Sequence, residues 1–261
     1  MIAISHETPI GLLKESLSFN DYQYCLVHLL EEQTEYRKHF ERCRDKKIPV
    51  LLDNSIFELE EAFEPQRFSY WVERLKPDEY IVPDVLEDAQ GTINSLTHWV
   101  RNYSDKHTSS KMIGVVQGKT YEDIVKCYKY VDKYCQKIAI SFNYSLYEQM
   151  CPHENKLISW AFGRIMLLDR LLREGVINTS KPHHLLGVGI GVEFSFYKNY
   201  SWIDSLDTSN PIVHGLFGIK YSQTGLLTKR SIKLCELIDT PIKNRKIIDY
   251  NIRTFRKIVN S

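Results

Sequence analysis

The chain of 261 residues has no apolar run approaching the roughly 18 residues that a membrane helix needs, so no membrane partner is expected. Its opening, MIAISHETPIGLLKES, lacks the basic, apolar, small-residue order of a secretion signal, and a cytoplasmic location is expected. Six cysteines are dispersed: the nearest two, Cys127 and Cys135, stand eight residues apart, which rules out a local CxxC zinc or redox motif. Such cysteines, in a reducing compartment, are expected to be buried small hydrophobes. No Gly/Ser-rich linker, low-complexity tract or repeat divides the sequence, so one domain over residues 1–261 is the simplest organisation.

Net charge is only +1, which by itself points to no polyanion, but the charge is unevenly placed. From Lys229 to Ser261 nine Lys or Arg face three acidic residues, giving this segment +6 and the preceding residues −5. A basic C-terminal helical segment of this kind suits a phosphate backbone, or else is a solvated helix face. Its candidates for backbone contact are Lys229, Arg230, Lys243, Arg245, Lys246, Arg253, Arg256 and Lys257.

Short β-rich runs alternate with helical stretches, the pattern of βα units around a parallel sheet. Strands are expected near 22–29, 49–53, 79–83, 112–117, 137–142, 184–188, 201–206 and 212–217, and helices over 65–75, 87–102, 120–135, 155–174, 190–199, 229–238 and 243–258. Eight strands suit a closed (β/α)8 TIM barrel, an α/β fold that works at the C-terminal ends of its strands. The polar residues expected there are Asp53, Asp84, Gln117, Ser141 beside Phe142, and Asp207. Two carboxylates from different strands, Asp53 and Asp207, could meet at one glycosidic carbon, one as nucleophile and one handling protons. Equally, both could cap the helices that follow.

The strings LLDNSIF, IVPDVL, IGVVQGKTYEDI, HHLLGVG and SWIDSLDTSNP, in this order, resemble the motifs of the tRNA-guanine transglycosylases over about residues 48–218. That resemblance implies a TIM barrel that exchanges a guanine base through a covalent aspartyl-sugar intermediate. By it, Asp207, in Asp204-Ser205-Leu206-Asp207-Thr208-Ser209-Asn210-Pro211, corresponds to the nucleophile, with Asp204 a structural neighbour. Asp53 corresponds to the general acid/base, Phe57 to the ring that stacks on the base, Asp84 to the carboxylate that reads the guanine edge, and Gln117 and Gly118 to the base-contacting strand end.

Departures from the family are specific. Ser55 and Ile56 replace its paired glycines, and IAISFN replaces a Gly-Gly-Leu pattern, so Ser141 and Phe142 would line the base pocket differently. Only Cys235 follows the nucleophile segment, too little for the zinc subdomain of the tRNA enzymes, and no metal or other cofactor is expected. His183, His184 and His214 are expected to be satisfied core or rim residues rather than ligands. A short barrel without zinc resembles the phage-type branch that inserts 7-deazaguanines into DNA. The partners this implies are DNA and a free 7-deazaguanine such as 7-cyano-7-deazaguanine, in the host cytoplasm if the chain is phage-encoded. Exchange on tRNA, hydrolysis of the glycosidic bond and a non-catalytic nucleic-acid-binding subunit stay open as alternatives, as does a homodimer.

Overall fold

The computed structural model describes residues 1–142, 144–225 and 232–261. Eight parallel strands form a nearly closed barrel: β1 Ala3–His6, β2 Gln23–Leu26, β3 Val50–Asp53, β4 Glu79–Ile81, β5 Lys111–Val116, β6 Lys137–Ile140, β7 His183–Leu185 and β8 Ile203–Thr208. Around them run α1 Leu13–Phe19, α2 Val27–Glu32, α3 Thr34–Asp45, α4 Ile56–Leu59, α5 Pro65–Leu75, α6 Ala89–Asn102, α7 Tyr121–Tyr134, α8 Tyr144–Met150, α9 Lys156–Arg173, α10 Asn210–Leu216 and α11 Arg245–Val259. Ladders join β2 through β8 in order, and β8 pairs with β1 in the register Ala3↔Ser205 to His6↔Thr208. The remaining seam, β1 to β2, is closed by single bonds: Asp21 N–H donates to Ile4 O at 3.0 Å, and Tyr24 N–H to Ser5 Oγ at 3.1 Å.

Local chemistry sets the helix starts. Glu64 accepts from the Gln66 and Arg67 N–H groups ahead of Pro65, Asp88 from Gly91, Thr120 from Asp123, and Asn155 from Leu157 and Ile158, each filling donors that the first helical turn leaves unpaired. At the foot of the barrel the buried Lys137 ammonium is held between Glu79 Oε2 at 2.8 Å and Asp204 Oδ2 at 3.1 Å. Asp204 therefore pairs below the site, away from the C-terminal strand ends.

Several expectations are corrected. Residues 212–217 are not a strand: Pro211 in the first turn presets helical φ, and IVHGL continues as α10. The missing strand is β1, whose four residues AISH are too few to show an alternating pattern yet pair with β8 along their whole length. The expected helix over 190–199 shortens to a 3-10 turn at Gly191–Phe196. Of the one expected over 229–238, a 3-10 turn at Leu234–Leu237 is seen, while 229–231 lie outside the described residues. Among the described residues no helix is long and apolar enough to cross a membrane.

Helix α11 crosses α10 where Gly215 has no side chain. A Cβ there would stand 2.8 Å from Ile248 Cα and 3.0 Å from its nitrogen, both backbone atoms that cannot give way. We expect Gly215→Ala to push the helices apart and cost about 1–3 kcal/mol. A denaturant midpoint lowered at unchanged slope is the readout; an unchanged midpoint would show that the two helices are not packed this closely.

Candidate active site

The strand alternation of β2, β3 and β8 brings Tyr24, Asp53 and Asp207 to one cavity of about 910 Å³ at the C-terminal end of the barrel. Asp84, Gln117, Ser141, Phe142 and Phe57 also line it, so seven of the eight predicted catalytic and base-binding residues share one space. Gly118 is the exception. A Cβ there would stand 2.6 Å from Asp123 Cβ and 3.0 Å from Ile124 N, so the glycine lets the start of α7 fold back against the strand end.

Asp207 is anchored by three contacts from two groups. Gly187 N–H donates to both carboxylate oxygens, at 3.2 Å to Oδ1 and 3.1 Å to Oδ2, and His184 Nε2 lies 3.0 Å from Oδ1. The other His184 nitrogen meets Ser205 Oγ at 2.9 Å, fixing the ring between two residues of β8. Gly187 adopts φ +59°, a left-handed conformation natural to glycine, and that turn aims its N–H at the carboxylate. Contacts converging on both oxygens fix the direction of the carboxyl group.

Asp53 is held differently. Its Oδ2 accepts from Ser55 N–H at 2.7 Å and the carboxyl also receives the Tyr24 hydroxyl. Burial nevertheless outweighs those donors and, with the nearby Asp207 and Asp84 charges, pushes its pKa up from 3.8 to about 7. Ser55 itself stands at φ +63°, a left-handed conformation held by a residue that is not glycine. Tyr24 stacks on His184 with ring centres 6.4 Å apart, linking the surroundings of the two carboxylates.

Asp84 sits in an amide cradle: Asn54 Nδ2 donates to one oxygen and Gln117 Nε2 to the other, both at 2.7 Å. Each amide is oriented at its far end, Asn54 Oδ1 by Ile56 N–H and Gln117 Oε1 by Glu87 N–H. Gln117 is thus committed to holding Asp84. Burial raises the Asp84 pKa to about 6 in spite of the two amides. Its own backbone N–H also bonds the carboxylate, so these three donors leave about one of the roughly four acceptor positions of a carboxylate open.

The apolar walls come from Ile81, Val115, Leu186 and Phe142, with Phe57 44% exposed at the rim. Phe142 packs edge-on against Trp160 at 5.4 Å. The sequence did not single out Tyr24, Asn54 or Gly187, and it marked His184 only as a satisfied core or rim residue. The alternation of Tyr22 and Tyr24 in YQYCL was the one available signal; the other three acquire their roles only through tertiary contact.

Much of the basic tail is paired within the protein. Arg245 is bonded to Glu15, Arg253 to Asp249 at 2.6 Å, and Arg256 to Asp21 at 3.0 Å and to Phe19 O. Because Asp21 precedes β2, Arg256 and the neighbouring Lys257 lie at the foot of the barrel, opposite the carboxylates. Lys243 and Lys246 are exposed at the other end of α11, and Lys229 and Arg230 fall outside the described residues. His183 is satisfied by Tyr128 OH and Lys181 O, and His214 by Asn210 O. Cys25, Cys43, Cys127 and Cys135 are buried, and Cys151 and Cys235 partly so.

The raised Asp53 pKa has a thermodynamic consequence. A carboxyl whose folded pKa is about 7 against 3.8 unfolded stabilises the fold fully below about pH 4 and loses that contribution as pH rises through 7. Asp53→Asn is therefore expected to match the parent near pH 4 and to exceed it by about 2–4 kcal/mol above pH 8. Paired denaturation curves across this range test it, and a difference independent of pH would refute the perturbed carboxyl.

No protein-family model matches the chain, and no curated protein matches it in sequence.

Proposed function

We propose that the protein is a base-exchange transglycosylase that replaces guanine in DNA with a 7-deazaguanine through a covalent Asp207-sugar ester. The observation that carries this reading is the contrast between two carboxyl groups in one cavity: Asp207 directed through both its oxygens by Gly187 N–H and His184, Asp53 buried with a pKa of about 7. A nucleophile and a proton-transfer group need these opposite environments. The ordered motifs from Asp53 to Pro211 and their resemblance to the transglycosylases support the same roles.

In the first displacement an Asp207 oxygen bonds to the anomeric carbon as the bond from that carbon to guanine N9 breaks. The electron pair leaves on guanine, and protonated Asp53 supplies a proton to the departing base. A free 7-deazaguanine then enters, its ring N–H passes the proton to Asp53, and that nitrogen displaces the Asp207 ester. Two displacements retain configuration, and Asp53 and Asp207 end as they began. A pKa near 7 keeps both forms of Asp53 populated at neutral pH, as a group that alternately gives and takes a proton requires. Asp84 would accept from an N–H on the guanine edge, with Asn54 and Gln117 fixing its oxygens.

DNA is favoured over tRNA because residues 208–261 carry the single Cys235 in place of a CxCxxC cluster, as in the phage-type branch that the chain resembles. For backbone contact the pairing of the arginines and the place of Lys257 at the foot of the barrel narrow the described tail candidates to Lys243 and Lys246, at the start of α11. Replacing both by alanine is expected to reduce the slope of log affinity against log salt by about 1.5, one phosphate contact contributing roughly 0.7 to 0.9. Arg256→Ala should leave that slope unchanged. The reverse pattern would move the DNA to the foot of the barrel.

Incubation of DNA and, separately, tRNA with 7-cyano-7-deazaguanine, followed by digestion to nucleosides and mass spectrometry, tests the function. A modified deoxynucleoside is expected from DNA, falling by about a thousandfold or more in Asp207→Ala. Product from tRNA alone would keep the chemistry and replace the polymer, whereas product from neither would overturn the proposal.

A further inference from the structure

Behind the Asp207 side of the cavity lies an ion pair that the proposed chemistry does not use. Arg164 of α9 and Glu193 are each 1% exposed and meet at 2.6 Å. Desolvating two charges often costs more than their attraction returns, so such a pair is weak evidence of stabilisation. It is also incompletely satisfied: Arg164 Nε and Glu193 Oε2 have no hydrogen-bond partner among the described residues. A pair present only to complete the core would be expected to fill those positions.

What the pair does reach is informative. The second arm of the guanidinium donates to Leu186 O at 2.8 Å. That carbonyl and the Gly187 N–H belong to one planar, conjugated peptide group, and the Gly187 N–H is the donor shared by both Asp207 oxygens. A cationic donor on the carbonyl draws electron density from the peptide and makes its N–H a stronger donor. The same guanidinium carbon lies 5.4 Å from the centre of the Phe142 ring, which forms part of the cavity wall.

We infer that Arg164, charge-balanced by Glu193, is a positioning residue for Asp207: acting through the Leu186–Gly187 peptide, it fixes and strengthens the N–H that directs the carboxylate, while its other face seats Phe142. The attack of Asp207 on a sugar rests on the proposed function; the connection from Glu193 to Asp207 does not. Glu193 compensates the buried cation, and arginine is required because one planar fork spans Glu193 and Leu186 O together.

The test reads the Gly187 amide in ¹⁵N-labelled protein, by proton chemical shift and by hydrogen exchange, with β6 and β8 amides as internal controls. The double variant Arg164→Met/Glu193→Met removes both charges and fills the space with apolar side chains, so that neither partner is left buried alone. In it the Gly187 amide is expected to move upfield and exchange at least about tenfold faster than the controls change, whereas Glu193→Gln, which keeps the Arg164 bond to Leu186 O, should alter it by no more than about twofold. Arg164→Lys, which keeps the charge but lacks the fork, should shift the same amide and serves in place of the double variant if that does not fold. In base exchange the double variant is expected to lose about tenfold in kcat with KM within about twofold, since the affected group acts after binding. An unchanged Gly187 amide in a folded variant overturns the inference whatever the activity. A changed amide in a protein whose parent shows no base exchange upholds the inference and rejects the proposed function.

Discussion

Burying negative charge at the head of this barrel is the constraint around which its residues are arranged. Asp53, Asp84 and Asp207 all line one cavity and all are buried. Taken out of water, a carboxylate either finds donors or takes up a proton, and this site uses both outcomes. Asp207 receives the Gly187 N–H twice and faces His184; Asp84 has two side-chain amides; Asp53 has Ser55 N–H and the Tyr24 hydroxyl but still holds its proton up to about pH 7. Three residues of one type thereby acquire three chemical characters from their surroundings.

The scaffold supplies those surroundings from several strands. Asp53 ends β3, Asp207 lies near the end of β8, and His184, which touches Asp207, belongs to β7. The β1–β8 ladder fixes Asp207 beside Ser5, while Ser5 Oγ reaches across the unladdered seam to Tyr24 N–H. A single buried side chain thus helps align the tyrosine that bonds Asp53. Charge in the tail follows the same rule of local satisfaction: Arg245, Arg253 and Arg256 are bonded to Glu15, Asp249 and Asp21, so the segment's formal excess overstates what is free to meet a polyanion.

The legible parts of the sequence were those governed by short-range chemistry. The helix at 65–75 was readable because Glu64 and Pro65 mark its start and its apolar face repeats at helical spacing, and seven strands were found because buried runs of Val, Ile and Leu are bounded by helical stretches. IVHGLF misled because β-branched residues outweighed Pro211, and AISH escaped because four residues carry no period. Asp53, Asp84 and Asp207 could be named from strand ends and motif order. Their distinct environments could not, since these depend on Tyr24, Asn54, His184 and Gly187, which reach them only once the barrel is formed. Gly118 was assigned to the ligand by motif, whereas its missing side chain makes room for α7.

The pairing of the first strand with the last has a consequence in time as well as space. β1 ends at His6, yet the strand it pairs with ends at Thr208. On a ribosome adding about 5–20 residues each second, β1 waits roughly 10–40 s for its ladder partner. Throughout that interval its hydrogen-bonding edge is open, and so is the place Asp207 will occupy beside Ser5. Synthesis thus separates the making of Asp53 from that of Asp207, and a nascent chain carries some of the cavity's carboxylates without the others.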